Sequence, residues 1–298
     1  MSLYAFIGAI ETGLAFALVA LGAYLTFRVL DFPDLTVEGS FPLGAAVAAK
    51  LMVSGVDAWT ATLAAGLAGC LAGFATAFLN RKLRILHILA GILTAIALYS
   101  VNLRIMDRPN IGLINMETVY TPIERLGIPS LYAPVVLLAV IVVVIKILVD
   151  LFLGTGFGLA MRAAGANPRM AQANGIHVGR MIVAGLGIAN GLTALSGALF
   201  AQMLGAADVS MGIGVIVVAL AAVIGGTALM PSRHVPLLTL ASVLGSILYR
   251  IALALALSSG AIGLTASDVN VVTAVLVAVA LWVPVRKSTF SRRPGGAK

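Results

Sequence analysis

Long apolar runs divided by short polar stretches set the plan of this chain. About nine hydrophobic segments (eight to ten) lie near 5–30, 35–54, 58–79, 85–101, 131–151, 180–204, 213–230, 235–257 and 269–285. A helix needs about 20 apolar residues to cross the hydrocarbon core. A transmembrane strand would instead show roughly ten-residue alternating segments. The runs here are long and unbroken, as in APVVLLAVIVVVIKILVDLFL at 131–151, so the pattern predicts an all-α, polytopic transmembrane helical bundle. The first segment has no positive charge before it and runs past the ~7–15 residues of a signal-peptide core. It is therefore expected to stay as the first span. The seventh is short and contains Gly225-Gly226, which leaves a full crossing and a broken or re-entrant element both open.

Composition supports the bilayer. Hydrophobic residues make up 61% of the chain and charged residues 10%, against about 25% charged in soluble domains. The mean hydropathy is +1.09. The net charge of +8 would suit nucleic acid, but the basic residues are spread over loops between spans, which argues against it. They follow the positive-inside rule instead. With the C-terminus cytoplasmic, the inner loops and tail hold Arg28, Arg81, Lys82, Arg84, Arg162, Arg169, Arg180, Arg233, Arg286, Lys287, Arg292, Arg293 and Lys298. The outer side keeps only Lys50, Arg104, Arg108, Arg125 and Arg250. This bias places the N-terminus outside, the 102–130 loop outside and the 154–178 loop in the cytoplasm. The expected organisation is one membrane domain over 1–298, with that cytoplasmic loop inside it and a basic tail at 286–298.

Little in the chain suggests catalysis. No GxxxxGK[ST] phosphate loop and no HExxH zinc motif occurs, and no serine has an ordered histidine partner. His87, His177 and His234 stand on separate segments without metal-ligand spacing. Cys70 lies mid-span among small residues, as a packing residue would. No catalytic residue, metal or cofactor is expected. Gly66, Gly69 and Gly73 on the third segment fit close helix packing.

Against this apolar background the insert GTGFGLAMRAAGANPRMAQANGIHV at 154–178 stands out. Asn167 is placed to cap a helix. Pro168 follows at the first helical position, where its missing N–H costs nothing, and Asn174-Gly175 supplies a stop that tolerates positive φ. Upstream, FGLAMRAAG predicts another short amphipathic helix with Arg162 on its wet face. An ordinary interfacial loop helix and a docking element both fit such stubs. The caps favour docking, since merely returning the chain needs none.

A second polar cluster is DLTVEGSFP at 34–42. Pro42 is expected to interrupt a helix and free backbone groups. Thr36, Glu38 and Ser40 would then line a polar path where a span breaks, while Asp34 sits near the membrane edge, where a watery turn suits it. A cytoplasmic turn with Glu38 in water is the alternative. Asn190, Gly225, Gly226 and Thr227 complete the candidate path. Asn190 and Gln202 lie about 120° apart around one helix, so each is expected to serve as a separate interhelical hydrogen-bond partner.

Three stretches together resemble one family. DLTVEGSFPLGAAVAA at 34–49, TGFGLAMRAAGANPRMAQANGI at 155–176 and VIVVALAAVIGGTAL at 215–229 are similar, in the same order, to segments of the permease subunits of bacterial ABC importers. The branch includes branched-chain amino acid and ribose permeases, and the LTVEGSF wording resembles its tryptophan/tyrosine-type members. The resemblance implies two ABC ATPase subunits docking on Arg162, Asn167, Pro168, Arg169, Gln172, Asn174 and Gly175. It implies a periplasmic or lipoprotein substrate-binding protein outside, meeting Arg104, Asp107, Arg108, Glu124 and Arg125, and a second permease copy as homo- or heterodimer. The cargo so implied is a small nutrient, an amino acid (aromatic or branched-chain) ahead of a sugar or nucleoside. An ion-coupled secondary transporter and a membrane scaffold are the competing classes.

Overall fold

The protein is described from a computed structural model, which covers residues 3–125, 129, 131–258 and 275; the side chains of Glu124 and Arg125 lie outside the described part. The ninth predicted segment and the basic tail lie outside the described residues apart from Val275.

The chain begins with α1 (Leu3–Ala23), which widens into a π-helical end at Tyr24–Val29. Thr26 bends this end by turning its hydroxyl back onto the carbonyls of Ala23 (3.2 Å) and Gly22 (3.4 Å). Four helices and a short strand follow: α2 (Val37–Val53), α3 (Ala58–Arg81), α4 (His87–Met106), β1 (Asn110–Gly112) and α5 (Thr121–Arg125). Then come α6 (Ala133–Gly154), two stubs α7 (Gly156–Ala166) and α8 (Pro168–Ala173), and α9 (Val178–Leu204). The series closes with β2 (Ala206–Asp208), α10 (Val215–Leu229) and α11 (Val235–Ser258). Among the described residues, six helices are long and apolar enough to cross a membrane: α1 with its extension, α3, α4, α6, α9 and α11. The shorter α2 and α10 pack among them.

Helix α9 is the axis of the bundle, and α1, α2 and α3 pack around it. Small residues permit this. A Cβ on Gly69 or Gly73 of α3 would fall 2.4 Å from Asn190 O or 2.2 Å from Leu186 O, and one on Gly44 of α2 would fall 1.9 Å from Ala194 O. These backbones touch, as the glycine spacing on the third segment predicts. Cys70 faces Gly191 in the same interface. At the far ends, Asp57 caps α3 by accepting from Trp59 N (3.0 Å) and Thr60 N (3.2 Å), and Gly205 closes α9 in the left-handed conformation (φ +71).

The two ends of the bundle differ in architecture. At one, β1 pairs antiparallel with β2, Asn110 opposite Asp208. Lys50 at the end of α2 forms an ion pair with Asp107 at the end of α4. Tyr120 donates to Leu199 O (2.9 Å), tying the loop after β1 to α9. The opposite end carries the stubs, with the ends of α3 and α6 and the starts of α9 and α11.

Candidate functional site

The stubs are built as the sequence pattern predicts. Thr155 caps α7, accepting from Gly158 N (3.2 Å) while donating to Phe152 O (2.6 Å). Asn167 Oδ1 caps α8 by accepting from Met170 N (3.0 Å), with Pro168 at the first helical position. Asn174 Nδ2 donates to Met170 O (2.8 Å), and Gly175 turns the chain at φ +80. Together these partners satisfy terminal amides and carbonyls that a six-residue helix would otherwise leave open. Met161, Ala164 and Ala171 are buried beneath the stubs. A Cβ on Gly165 would lie 2.0 Å from Val29 O, so α7 rests directly on the π-helical end of α1. Asn167, Pro168, Arg169, Gln172, Asn174 and Gly175 face outward, and Arg162 is half-buried.

The stubs are linked to the spans beneath them. Asp150, near the end of α6, accepts from Thr239 of α11 (2.6 Å) and pairs with Lys146 one turn back (2.5 Å). Helix α7 thus contacts α6 and the end of α1, and α6 is joined in turn to α11.

The 34–42 region departs from the sequence expectation in two ways. Asp34 is not at a watery edge; it is fully buried. The π-helical end of α1 leads the chain back into the bundle, so the link to α2 runs inside the protein. There Asp34 accepts from Thr36 N (2.9 Å) and from Asn190 Nδ2 (2.7 Å). Ser40 donates to Asn190 Oδ1 (2.7 Å), and Thr36 shares a hydrogen bond with Thr76 of α3 (2.7 Å). The result is a buried polar knot joining α2, α3 and α9 to the α1–α2 link. Second, Pro42 does not interrupt α2; it lies within the helix. Proline removes the donor that would have met the carbonyl four residues back. That carbonyl, of Glu38, lies against Gly212, where a Cβ would fall 1.9 Å from it.

The other candidate path residues separate. Thr36, Ser40 and Asn190 belong to the buried knot. Glu38 is only partly buried and lines a cavity of about 370 Å³ with Pro42, Ile96, Tyr99, Asn102 and Ile213. The seventh segment is a continuous helix, not a broken one. Its Gly226 lets α11 approach (a Cβ would fall 2.0 Å from Ala241 O), and Thr227 donates to Val223 O (2.7 Å). Close packing with α11 thus accounts for Gly226. Gln202 also proves distinct from Asn190: it accepts from Val119 N (3.1 Å) and donates to Thr62 (2.8 Å).

At the ribbon end, Arg104, Asp107 and Arg108 are exposed. The Lys50 ammonium bonded to Asp107 holds its carboxyl below the usual carboxylate range. The Ser210 hydroxyl does the same for Asp208. Glu124 and Arg125 fall outside the described side chains.

Sequence reasoning alone did not single out Thr76, Tyr99 or Asn102. Thr76 lies in an apolar run, and an asparagine near a helix end carries no local signal of its neighbours.

Residues 6–281 match the family described as "Branched-chain amino acid transport system / permease component". The chain belongs to this permease family. It is 38% identical over 271 residues to the tyrosine transport system permease protein of Clostridioides difficile (strain R20291), covering 91% of this chain and 88% of that one. It is also 38% identical over 220 residues to an uncharacterised protein of Rickettsia prowazekii (strain Madrid E), covering 74% and 76%. A solved metal-chelate-type ABC transporter in an inward-facing conformation shares the fold, with a TM-score of 0.52 at 16% identity over 96% of this chain and 87% of that one. The permease is thus a multi-pass inner-membrane protein of the ABC transporter class, and membership implies ATPase partner subunits.

Proposed function

We propose that this permease forms the membrane path of an ATP-driven importer for an amino acid, with an aromatic one favoured by the tyrosine permease relative. The observation that carries this is the capped pair α7–α8. It is short and capped at its ends, rests on α1, and turns Arg169, Gln172 and Asn174 outward. ATP is hydrolysed by separate subunits that close against this surface, and the stubs pass the motion into α1, α6 and α11. The stub end faces the cytoplasm, which puts the N-terminus outside and the C-terminus inside, following the Lys and Arg bias. The ribbon end faces the substrate-binding protein, with Arg104, Asp107, Arg108, Glu124 and Arg125 in the contact; salt bridges there set register more than affinity. Two permease copies enclose the path, to which Glu38 and the α10 segment Gly225–Thr227 contribute.

Co-purification with the cognate ATPase tests this. Replacing Arg162 and Arg169 by Glu is expected to release the ATPase and abolish ATP-dependent uptake of radiolabelled tyrosine in vesicles. Uptake that continues undiminished without any ATPase overturns the proposal.

A further inference from the structure

The cavity beside Glu38 has the chemistry of an ammonium site. It lies between the start of α2, the outer half of α4 and the 209–213 turn below the ribbon. Pro42, Ile96, Tyr99 and Ile213 give it apolar walls, and no Lys, Arg or His is among the described residues that line it. Besides the hydroxyls of Tyr99, Ser100 and Ser210, which can donate or accept, acceptors are offered by Glu38 and Asn102. Glu38 Oε1 receives one long hydrogen bond, from Gly214 N (3.3 Å). Asn102 is fully buried in the wall, and its Nδ2 donates to Gly39 O (3.3 Å). A carbonyl oxygen can only accept, so this bond fixes which way the amide faces. Asn102 Oδ1 is then left buried without a partner among the described residues. A buried acceptor without a donor is costly, and each one in a native structure calls for an occupant.

Resting on the amino-acid importer reading above, we propose that this cavity holds the substrate by its ammonium group. Glu38 supplies the charge, Asn102 Oδ1 the second acceptor, and Tyr99 and Ile96 on one wall with Ile213 on the other the seat for an apolar or aromatic side chain. An ammonium carries three donors and no acceptor, which matches this acceptor pair, and a charged donor on a carboxylate makes the stronger kind of hydrogen bond. Because Asn102 is fully buried, this site requires its side chain to turn towards the cavity on binding.

The test uses the permease assembled with its partner subunits in lipid nanodiscs. Cys70→Ala removes the native thiol, and Ser100→Cys places a reporter in the cavity wall. L-Tyrosine and tyramine are expected to slow maleimide alkylation of the reporter at least about three-fold. The deaminated analogue 3-(4-hydroxyphenyl)propionate leaves the rate unchanged, and so does sodium chloride at equal concentration. Glu38→Gln, which keeps an oxygen for Gly214 N–H but loses the charge, abolishes the protection. Equal protection by amine and deaminated compound, protection by sodium, protection that survives Glu38→Gln, or no protection at all overturns the site. Ile213→Cys, on the exposed opposite wall, gives the same readout where the first reporter fails to assemble. ATP-dependent tyrosine uptake by the unsubstituted complex is scored separately. Uptake without amine protection removes the cavity site alone, whereas amine protection without ATP-dependent uptake removes the importer reading alone.

Discussion

Helices α6 and α9 invert the rule that holds in soluble proteins. The richest apolar stretch, α6, has a mean hydropathy of 3.1, yet only 22% of its most apolar window is buried in the protein; α9, at 1.6, is 78% buried. Lipid tails are as apolar as leucine, so no hydrophobic force drives α6 inward. Its Val140, Val143, Ile147 and Leu151 are exposed from the protein. Helix α9 is buried because it is small and polar enough to be held. Its Gly and Ala positions admit neighbouring backbones, and Asn190, Ser196 and Gln202 hydrogen-bond to other segments. Apolarity here marks the surface, and small polar-laced segments mark the core.

The sharpest way to break this contrast is to fill the α9 interface. Gly44→Val would drive side-chain carbons into Ala194 O, and with no compensating space the loss should reach about 3 kcal/mol. Thermal unfolding in detergent, followed by dye labelling of Cys70, should show a fall of several degrees, whereas an unchanged midpoint would mean that α2 and α9 do not touch. Next comes the polar knot. Asn190→Leu leaves Asp34 and Ser40 buried without their partner, a loss of about 2–4 kcal/mol. Asp34→Asn alone should cost less, because a neutral amide tolerates burial better than a carboxylate. A double-mutant cycle on the two positions should give a coupling energy above about 1 kcal/mol, and strict additivity would dissolve the knot.

Acid should act more weakly at the exposed carboxyls of the ribbon end. The carboxyls of Asp107 and Asp208 are lowered in the folded protein by Lys50 and Ser210. Their contribution is therefore complete above the unfolded carboxylate pKa near 3.9 and is lost as pH falls through the lower folded values. Stability should be flat above about pH 5 with respect to these groups. Lys50→Met should remove the part of the acid response due to Asp107 and leave the Asn190 effect untouched. A smaller effect still is expected on the lipid face. Val143→Ala on α6 should change stability by less than about 0.5 kcal/mol, and a loss as large as that of Gly44→Val would show that α6 is packed against protein.

The helical membrane character was legible because a bilayer demands long apolar runs and saturates their hydrogen bonds internally, whereas of the nine predicted segments six form helices long enough to cross among the described residues. The stubs were legible as well, since capping depends on neighbours within four residues: Thr155 with Gly158, Asn167 with Met170. The sequence by itself therefore determined a helical membrane protein with one capped polar element. The tertiary structure alone decided where the interior polar groups go. Asp34 looked like a surface residue because nothing adjacent in sequence reveals that Asn190, far along the chain, turns its amide onto it. Pro42 looked like a break because nothing near it in sequence reveals that the carbonyl it frees, of Glu38, lies against Gly212 from a distant turn. The open acceptor of Asn102 likewise exists only once α2 and α4 are side by side. Local geometry is written in short-range patterns, but the pairing of buried donors and acceptors is a property of helices meeting, and no single segment carries it.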